Sequence, residues 1–454
     1  MRHVVAISDI HLSEVEPGTG LWMRYRQKEY APSVEIAEMI DELRERVRGD
    51  ELLFVLNGDV FDFDAPYVED GRSVHHDQPR DAAHAAPFVA RILRDHPALT
   101  EALGRIIADG QQVLFISGNH DAQLTLPEVR DVVRDAIVAA ARSADPAATT
   151  EDLRSRVLFR AWFHRTPDGV VIEHGHQYDT FCSFRYPMAP YGAEPGLIQP
   201  TLGSLVSRHY MARLGYFNPH VDATFMLTFW GHLKHWARYY FLSRRSQAWI
   251  WLYGALAALA TLVVRRDPGD RARRADNARA AAAETGCTLR EVARHARLHA
   301  PPGEDRLWRC ARELWLDRAL LTASAVALAA VWLASWQHAF GVIASLCPVA
   351  MVAFDKVRPK PTLEDNWRTV QRCARQVAKV HRARAVIFGH THTPEGVREG
   401  GVFYGNTGSW SAAYRDVACT EPLFEERPLV WLKLDNDDLE GGLCVWKRGS
   451  FRHV

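Results

Sequence analysis

The chain has 454 residues, and its 55 Lys and Arg balance its 55 Asp and Glu, so the formal net charge is zero. That balance predicts no general affinity for nucleic acid, while the length allows a full catalytic domain and a substantial second element. The seven cysteines are an odd number without a C-x-x-C pair, which predicts reduced thiols and a cytosolic active domain.

An apolar run at the start of the chain ends in two side chains that can bind metal. Residues 3–8 lead into Asp9 and His11, which share one face of an extended chain because they are two residues apart. We expect no cleaved signal peptide, since this first strand already carries a candidate ligand. Apolar residues then recur at helical spacing over residues 30–48, which predicts a helix packed on a sheet.

Four further apolar runs end in the same way, each at a polar motif. They are residues 51–57 before GDVFD, residues 112–117 before GNHD, residues 169–173 before HGH, and residues 385–388 before GHTH. Their side chains that could hold a metal or move a proton are Asp59, Asp62, Asn119, His120, His174, His390 and His392. A lone histidine near a strand end is usually a surface residue, but five such endings in one chain predict a single site at the carboxyl ends of buried strands.

Some residues near these motifs are less clearly assigned. Residues 64–80 are predicted to form a loop at the metal-bearing edge, with His75 and His76 as rim residues and not as ligands. Residues 87–110 and 127–141 are predicted to be helical. His176, two residues after His174, could face the metals, but we expect His174 to be the ligand.

The middle of the chain has a different character. Residues 181–245 are crowded with aromatic side chains interleaved with Arg and His, which is typical of a membrane-interface element or of a lid over an apolar substrate. The alternative is the aromatic core of a soluble inserted helical domain. Uncharged apolar stretches at residues 246–264, 319–336 and 339–354 favour the membrane interpretation, although the third is short and contains Pro348.

Topology limits how these stretches can meet a membrane. The two halves of the predicted site lie before residue 177 and after residue 385, so an even number of segments must cross a bilayer. Residues 265–318 are rich in Arg and in acids, which argues against their translocation. Two arrangements remain open. Residues 319–354 form a hairpin turning at Gln337 and His338 while residues 246–264 lie in the interface, or all three stretches dip into one leaflet.

The chain then returns to the first domain. A basic, Pro-rich exit at residues 355–361 precedes a predicted helix over residues 364–380. Residues 429–434 and 443–448, beyond the GHTH motif, are predicted to be closing strands of the second sheet.

The ordered set DxH, GDxxD, GNHD, HG and GHTH resembles the calcineurin-like metallophosphoesterases, over residues 1–185 and 365–454. The resemblance implies an α/β fold, a four-layer αββα sandwich, with two divalent metal ions side by side. It implies that the first ion is held by Asp9, His11, Asp59 and His392, and the second by Asp59, Asn119, His174 and His390. It also implies that His120 approaches the scissile phosphate and that Asp62 orients its imidazole. Imidazole, carboxylate and amide donors without thiolate suit Mn²⁺, with Fe or Zn²⁺ as alternatives.

These expectations combine into one interpretation. We expect a metallophosphoesterase domain in two parts, residues 1–185 and 361–454, interrupted by a helical membrane-associated insertion at residues 186–360. The organisation most resembles the UDP-2,3-diacylglucosamine hydrolases of lipid A synthesis, although those enzymes usually have Arg where this chain has His120. The resemblance implies cleavage of a phosphodiester or pyrophosphate bond in a lipid-linked substrate at the cytoplasmic face of a bacterial inner membrane, with the protein peripheral or hairpin-inserted.

Two rival functions remain at this point. A general phosphomonoesterase or Ser/Thr protein phosphatase would use the same metal chemistry but leaves the apolar insertion unexplained. A membrane scaffold with a degenerate metallophosphoesterase domain would require lost ligands, and no ligand is missing from the motifs.

Overall fold

The structure is a computed structural model that describes the chain except for residues 76–77, 193, 217, 219–228, 242–245, 336–337, 358–362 and 436–437. The predictions for His76 and Gln337 therefore fall outside the described residues, as do those for parts of the aromatic segment and of the basic exit.

The strands, in chain order, are β1 (Arg2–Ile7), β2 (Glu51–Asn57), β3 (Tyr67–Glu69), β4 (Arg72–Val74), β5 (Gln112–Ile116), β6 (Val157–Arg160), β7 (Phe163–Arg165), β8 (Val170–Glu173), β9 (Ala385–Phe388), β10 (Pro394–Glu399), β11 (Val402–Thr407), β12 (Arg427–Asp435), β13 (Asp438–Lys447) and β14 (Ser450–His453). Within the described residues they form a seven-stranded sheet in the order β14-β13-β12-β1-β2-β5-β6 and a five-stranded sheet in the order β10-β11-β9-β8-β7. β3 and β4 form a separate hairpin.

The α-helices are α1 (Ser33–Arg46), α2 (Ala82–Asp95), α3 (Pro97–Ala108), α4 (Pro127–Ala144), α5 (Thr150–Ser155), α6 (Leu202–Val206), α7 (Ala212–Leu214), α8 (Phe229–Tyr239), α9 (Gln247–Val264), α10 (Arg271–Thr285), α11 (Leu289–Ala296), α12 (Leu307–Glu313), α13 (Leu316–Ser335), α14 (His338–Val357) and α15 (Leu363–His381). A π-helical turn, Ser207–Met211, lies between α6 and α7.

The two sheets stack face to face, and helices cover both outer faces. Apolar residues of β1, β2 and β5 alternate between two cores, one shared with the five-stranded sheet and one shared with α1 to α4. A third core joins the outer face of the five-stranded sheet to α10, α11 and α15. The predicted four-layer αββα sandwich is therefore confirmed.

Three details of the prediction are corrected. The closing strands β12 and β13 belong to the seven-stranded sheet beside β1, because β12 pairs antiparallel with β1, and not to the second sheet. Residues 64–80 are not all loop, since they include the β3–β4 hairpin. The stretch 87–110 holds two helices, α2 and α3, that meet at His96 and Pro97, where proline starts a new helix.

The insertion is not a separate body. Its helices α10 and α11 complete the outer layer over the five-stranded sheet, and α11 starts with a capping box formed by Thr288 and Glu291. Helix α9 packs one face against α6 and α12. Helices α13 and α14 pack along each other.

Two helices in the described part of the chain, Gln247–Val264 and Leu316–Ala334, are long and apolar enough to cross a membrane by length and composition. Their most apolar windows are 28% and 11% buried, respectively. A core helix of a soluble protein would be mostly buried, so neither helix has that character.

Candidate metal centre

The five strands that end in polar motifs bring those motifs to one place. β1, β2 and β5 run parallel in the seven-stranded sheet, and β8 and β9 run parallel in the five-stranded sheet, so their carboxyl ends share an edge. The loops after them are bonded directly to each other. The Asp9 N–H donates to the Gly58 carbonyl at 3.1 Å, and the Gly389 N–H donates to the His174 carbonyl at 2.9 Å.

Five of the predicted ligands have a backbone conformation that side-chain-bearing residues rarely adopt. Their φ angles are positive, at 54° for Asp9, 54° for His11, 52° for Asp59, 67° for His390 and 56° for His392. Each such residue costs about 1–3 kcal/mol, and the cost persists only where the surrounding structure holds it in place. Such strain is concentrated at functional sites, and here it turns five side chains into one crevice.

Close backbone approach explains the glycine before Asn119. A Cβ atom on Gly118 would collide with the Asp59 carboxylate and would lie 2.5 Å from the Asp59 backbone nitrogen. Only glycine therefore lets the end of β5 pass this close to the loop after β2. The contact fixes Asn119 and His120 beside Asp59, whose Oδ1 accepts the His120 N–H at 2.7 Å.

One group of candidate ligands contains Asp9, His11 and His392, whose ligand atoms lie within 4.8 Å of one another. The His392 Nε2 atom is 3.1 Å from Asp9 Oδ1, and the Nε2 atoms of His11 and His392 are 3.4 Å apart. Burial alone would raise the pKa of Asp9, but the neighbouring imidazoles, led by His392, outweigh it and lower that pKa. These residues match the first predicted ligand set, apart from Asp59.

A second group contains Asp59, His174 and His390. The His174 Nε2 atom lies 3.0 Å from Asp59 Oδ2 and 4.0 Å from Asp9 Oδ1, so the two groups adjoin. Burial would raise the pKa of Asp59, but His174 and His120 hold it well below its ordinary value. The shared role of Asp59 stays a prediction, because its carboxylate lies in the second group and adjoins the first.

The orientation of His174 suits metal binding. Its Nδ1 atom lies 2.8 Å from the Asn57 carbonyl, which can only accept, so Nδ1 carries a proton and Nε2 faces the site, where it could bind a metal in place of its own proton. Metal-binding histidines are commonly fixed by such a bond to a backbone carbonyl. Asn119 adds a further donor, since its buried Oδ1 has no hydrogen-bond partner in the described part of the chain. A buried amide oxygen without a partner is costly, and a bound cation would satisfy it.

These observations fit a pair of divalent ions. The donors would be those of Asp9, His11, Asp59, Asn119, His174, His390 and His392, and when bound the ions would supply charge neutralisation at a phosphoryl group and a more acidic bound water.

His120 forms a further group of possible metal ligands with His11 and Asp62, and it faces two carboxylates. Its Nδ1 atom is 3.3 Å from Asp62 Oδ1 and 3.0 Å from Asp64 Oδ2, and its ring is 4.9 Å from that of His11. Burial alone would lower the pKa of His120, but the surrounding carboxylates, led by Asp59, hold it well above its ordinary value. The arrangement favours a protonated imidazole, which can donate to a leaving oxygen.

Sequence reasoning missed two residues of this site. Asp64 contacts His120 and is 1% exposed, and its signal was a third aspartate two residues beyond Asp62 in the sequence GDVFDFD. Asp179 is the other, with Oδ2 at 3.4 Å from His390 Nε2. Burial would raise the pKa of Asp179, but His390 lowers it. No motif distinguished Asp179 from an ordinary loop residue.

Two other histidines stand apart from the described ligand groups. His176 is 3% exposed, with its ring 5.4 Å from that of His174, and its Nε2 accepts a hydrogen bond from the Gln177 amide at 2.9 Å. Neither it nor His75 is in a described ligand group. His75 lines a cavity beside α2 whose described lining holds none of the candidate ligands, so its position at the rim of the metal site stays a prediction.

A family model for the calcineurin-like phosphoesterases matches residues 2–232, just over half of the chain. No curated protein matches the chain. The family match ends before the GHTH motif, so the geometry alone joins His390 and His392 to the residues that the match contains.

Proposed function

The chain belongs to the calcineurin-like phosphoesterase family and is a metal-dependent phosphoester hydrolase, and from that premise we propose that its substrate is a lipid-linked phosphodiester or pyrophosphate. In this proposal the enzyme works at the cytoplasmic face of a bacterial inner membrane, with Mn²⁺ in both metal positions and a UDP-diacylglucosamine-like substrate. His120 protonates or stabilises the leaving oxygen, and Asp62 and Asp64 orient its ring.

The observation that carries the proposal is the exposed apolar surface of the α13–α14 hairpin. Large apolar side chains of both helices face outward, with Leu320 67%, Leu333 68%, Ile343 47% and Val349 64% exposed. Contiguous apolar surface of this kind on a soluble domain marks a binding surface for a membrane or a partner. Burying this surface in a membrane would contribute about 25 cal/mol per Å² to the free energy of binding.

The dimensions and flanks of the hairpin suit a bilayer. Each helix has 20 residues, which corresponds to about 30 Å, the thickness of a hydrocarbon core. Of the two, α13 is one of the candidate spans found within the described residues, and α14 is not. At the base the Arg318 guanidinium lies 5.3 Å from the Trp315 ring centre and 5.7 Å from that of Phe354. Trp315 and the nearby Trp308 are 56% and 67% exposed. Tryptophan and arginine at the base of an apolar hairpin are typical of a membrane–water interface.

Helix α9 supports the same placement. Its buried face, with Ile250, Ala258 and Leu262, packs on the protein, whereas Trp249 and Tyr253 on another face are 67% and 46% exposed. A helix that is apolar on both its buried and its exposed face suits a position in the membrane interface, with the protein on one side and lipid on the other. An interfacial position of α9 is compatible with both arrangements that the sequence left open.

The chain topology is compatible with α13 and α14 either crossing the bilayer together or both entering one leaflet. The metal centre combines residues from before and after the insertion, and α10 and α11 pack on the same domain. The metal centre and helices α10 and α11 can therefore stay on one side of the membrane.

Flotation with liposomes tests the membrane part of the proposal. Because Arg318 contacts Phe354, residues 319–354 can be replaced by a short Gly-Ser linker without moving the ends far apart. We expect the full chain to float and to need detergent, and the deletion variant to stay in the aqueous fraction with its metals bound.

A matched pair of triple variants distinguishes insertion of the hairpin into the bilayer from nonspecific hydrophobic binding to liposomes. Leu320→Gln, Leu333→Gln and Val349→Gln together should weaken flotation. The same change at Val34, Leu289 and Val397, which are 57%, 53% and 40% exposed outside the hairpin, should leave flotation unchanged. A full chain that is monodisperse in plain buffer and ignores liposomes would contradict the proposal.

A further inference from the structure

A large cavity lies apart from the candidate metal ligands. Its volume is about 640 Å³, and it is bounded by the β3–β4 hairpin, α2, α6, the π-helical turn and the end of α9. No candidate metal ligand lines it in the described part of the chain. The volume falls within the range of about 300–1,000 Å³ that is typical of small-molecule sites.

One wall of the cavity carries cations. Arg80, Arg208 and Arg265 line it. Arg208 is 2% exposed, its guanidinium lies 5.7 Å from the Tyr67 ring centre, and it donates to the Asp64 and Ala65 carbonyls. Burial lowers the pKa of Arg208 to about 10, so the guanidinium remains charged at neutral pH although it is poorly solvated. Asp64 and Asp62 already raise the pKa of Arg208 in part, and an anion in the cavity would stabilise the charge further.

The acids that line the cavity do not cancel this charge. Glu69 is exposed at the end of β3, and the Asp81 side chain is engaged in capping α2 through the His84 N–H at 3.0 Å. His209, in the π-helical turn, has a buried Nδ1 without a hydrogen-bond partner in the described residues. A ligand oxygen could satisfy that nitrogen.

Apolar residues also line the cavity. Leu197, Pro200, Leu205 and the Phe88 ring line it, and Leu205 belongs to the core shared with α9. Thr261 and Arg265, at the end of α9, also line the cavity. Exposed Val263 and Val264 stand beside them, at 53% and 82%. The cavity thus lies at the end of the helix that the proposed function places against lipid.

We propose that this cavity is a second binding site, for a phosphorylated amphiphile whose anionic headgroup meets the arginines and whose alkyl chain lies along the apolar residues. The site goes beyond the proposed function, because its ligand is bound without being hydrolysed. It adjoins the active site through Gln78, whose side-chain amide donates to Asp64, and Asp64 contacts His120. Occupancy can therefore alter how His120 is held.

Calorimetric binding of octylphosphonate to the metal-loaded protein tests the site, because a phosphonate cannot be hydrolysed as an ester. The exposed Ala83 lines the cavity, whereas the exposed Ala90 lies on the same helix outside it. Ala83→Trp should weaken binding at least about tenfold, and the matched Ala90→Trp should bind like the wild type. Equal affinity in Ala83→Trp and wild type would overturn the proposal, as would no binding to the wild type.

Charge and chain are tested separately. Arg265→Glu should weaken octylphosphonate binding several-fold, whereas Arg266→Glu, next to it but outside the cavity, should not. Methylphosphonate should bind much more weakly than octylphosphonate, and octyltrimethylammonium should not compete. If methylphosphonate bound as tightly as octylphosphonate, the site would recognise a free anion without an alkyl chain. If octyltrimethylammonium competed, the site would recognise the alkyl chain without the anionic headgroup. Either result contradicts the proposal.

The metal centre itself can bind phosphonates, so a last variant separates the two sites. In Asp59→Ala octylphosphonate should still bind, and adding Ala83→Trp should remove that binding. Loss of all binding in Asp59→Ala would assign the ligand to the metal centre and overturn the inference. Because no hydrolysis is measured, the result does not depend on the substrate of the proposed function.

Discussion

The Nδ1 atom of His120 lies 3.0 Å from Oδ2 of Asp64 and 3.3 Å from Oδ1 of Asp62. Asp62 is also occupied elsewhere, since its Oδ1 accepts the N–H groups of Asp64 at 3.0 Å and Ala65 at 3.1 Å. Asp64 is therefore the better placed of the two carboxylates to fix the His120 ring.

We predict that Asp64→Asn lowers kcat about ten- to a hundredfold, the scale expected for a residue that orients a functional side chain. KM for a small chromogenic phosphoester and metal content should change little, because Asp64 is in none of the described ligand groups. Asp62→Asn should lower kcat less than Asp64→Asn does. If Asp62→Asn proved the more damaging and Asp64→Asn behaved like wild type, the orienting role would return to Asp62, as the resemblance implies.

The removal of His120 itself should separate proton transfer from metal binding. His120→Ala should keep its metals and lose about 10²–10⁴-fold in turnover, the usual effect of losing a positioned acid. Elemental analysis and steady-state rates on the same preparation measure both. Loss of metal together with activity would make His120 a ligand instead.

Much of this site could be predicted because five strand ends carry their side chains in short motifs. Parallel strands place such residues at one edge whatever the loops do, so the choice of the seven candidate ligands needed no tertiary information. Asp64 and Asp179 could not be found this way, because their roles depend on how two loops turn toward His120 and His390. Apolar alternation predicted β12 and β13, but pairing decides which sheet a closing strand joins.

Asp59 should be the ligand whose loss is most damaging. Asp59→Ala should remove activity on a generic phosphodiester together with one or both metals, because its carboxylate contacts His174 and also anchors the His120 N–H. Metal content by elemental analysis and turnover measure the effect. Full activity with unchanged metal content would contradict the binuclear assignment.

The insertion also shows where sequence reasoning stops. Apolar length and composition singled out the two stretches where the structure has the packed helices α13 and α14, whereas their relation to a membrane stays a prediction. Nothing in the sequence indicated that α10 and α11 would instead complete the outer layer of the sandwich. That depends on tertiary contacts such as the one between His295 Nε2 and Glu173, at 3.1 Å.

Acid should destabilise the protein through His299. Its ring packs 4.6 Å from that of Trp162, and burial together with His295 lowers the pKa of His299 to about 3. A histidine whose pKa is lower in the folded state stabilises the fold above about pH 6.5, and this contribution is lost as the pH falls from there toward 3. Between pH 7 and 5 the loss is about 2 kcal/mol.

His299→Phe should therefore show a smaller decrease in unfolding free energy between pH 7 and 5 than the wild type, as measured by urea titration. Phenylalanine keeps the contact with Trp162 and removes the titrating group. Parallel pH profiles for the two proteins would show that His299 does not titrate in this range.

The central claim, that the insertion brings a metal-dependent phosphoesterase to a lipid substrate, is tested most directly by two rates in two proteins. Turnover of a lipid-linked pyrophosphate in vesicles and of a soluble chromogenic phosphoester is measured for the full chain and for the variant lacking residues 319–354. The account predicts that the deletion lowers the vesicle rate at least about tenfold, because the effective concentration at the membrane is lost. The soluble rate and the metal content should be preserved. Loss of both rates in equal proportion, or of neither, would contradict the claim.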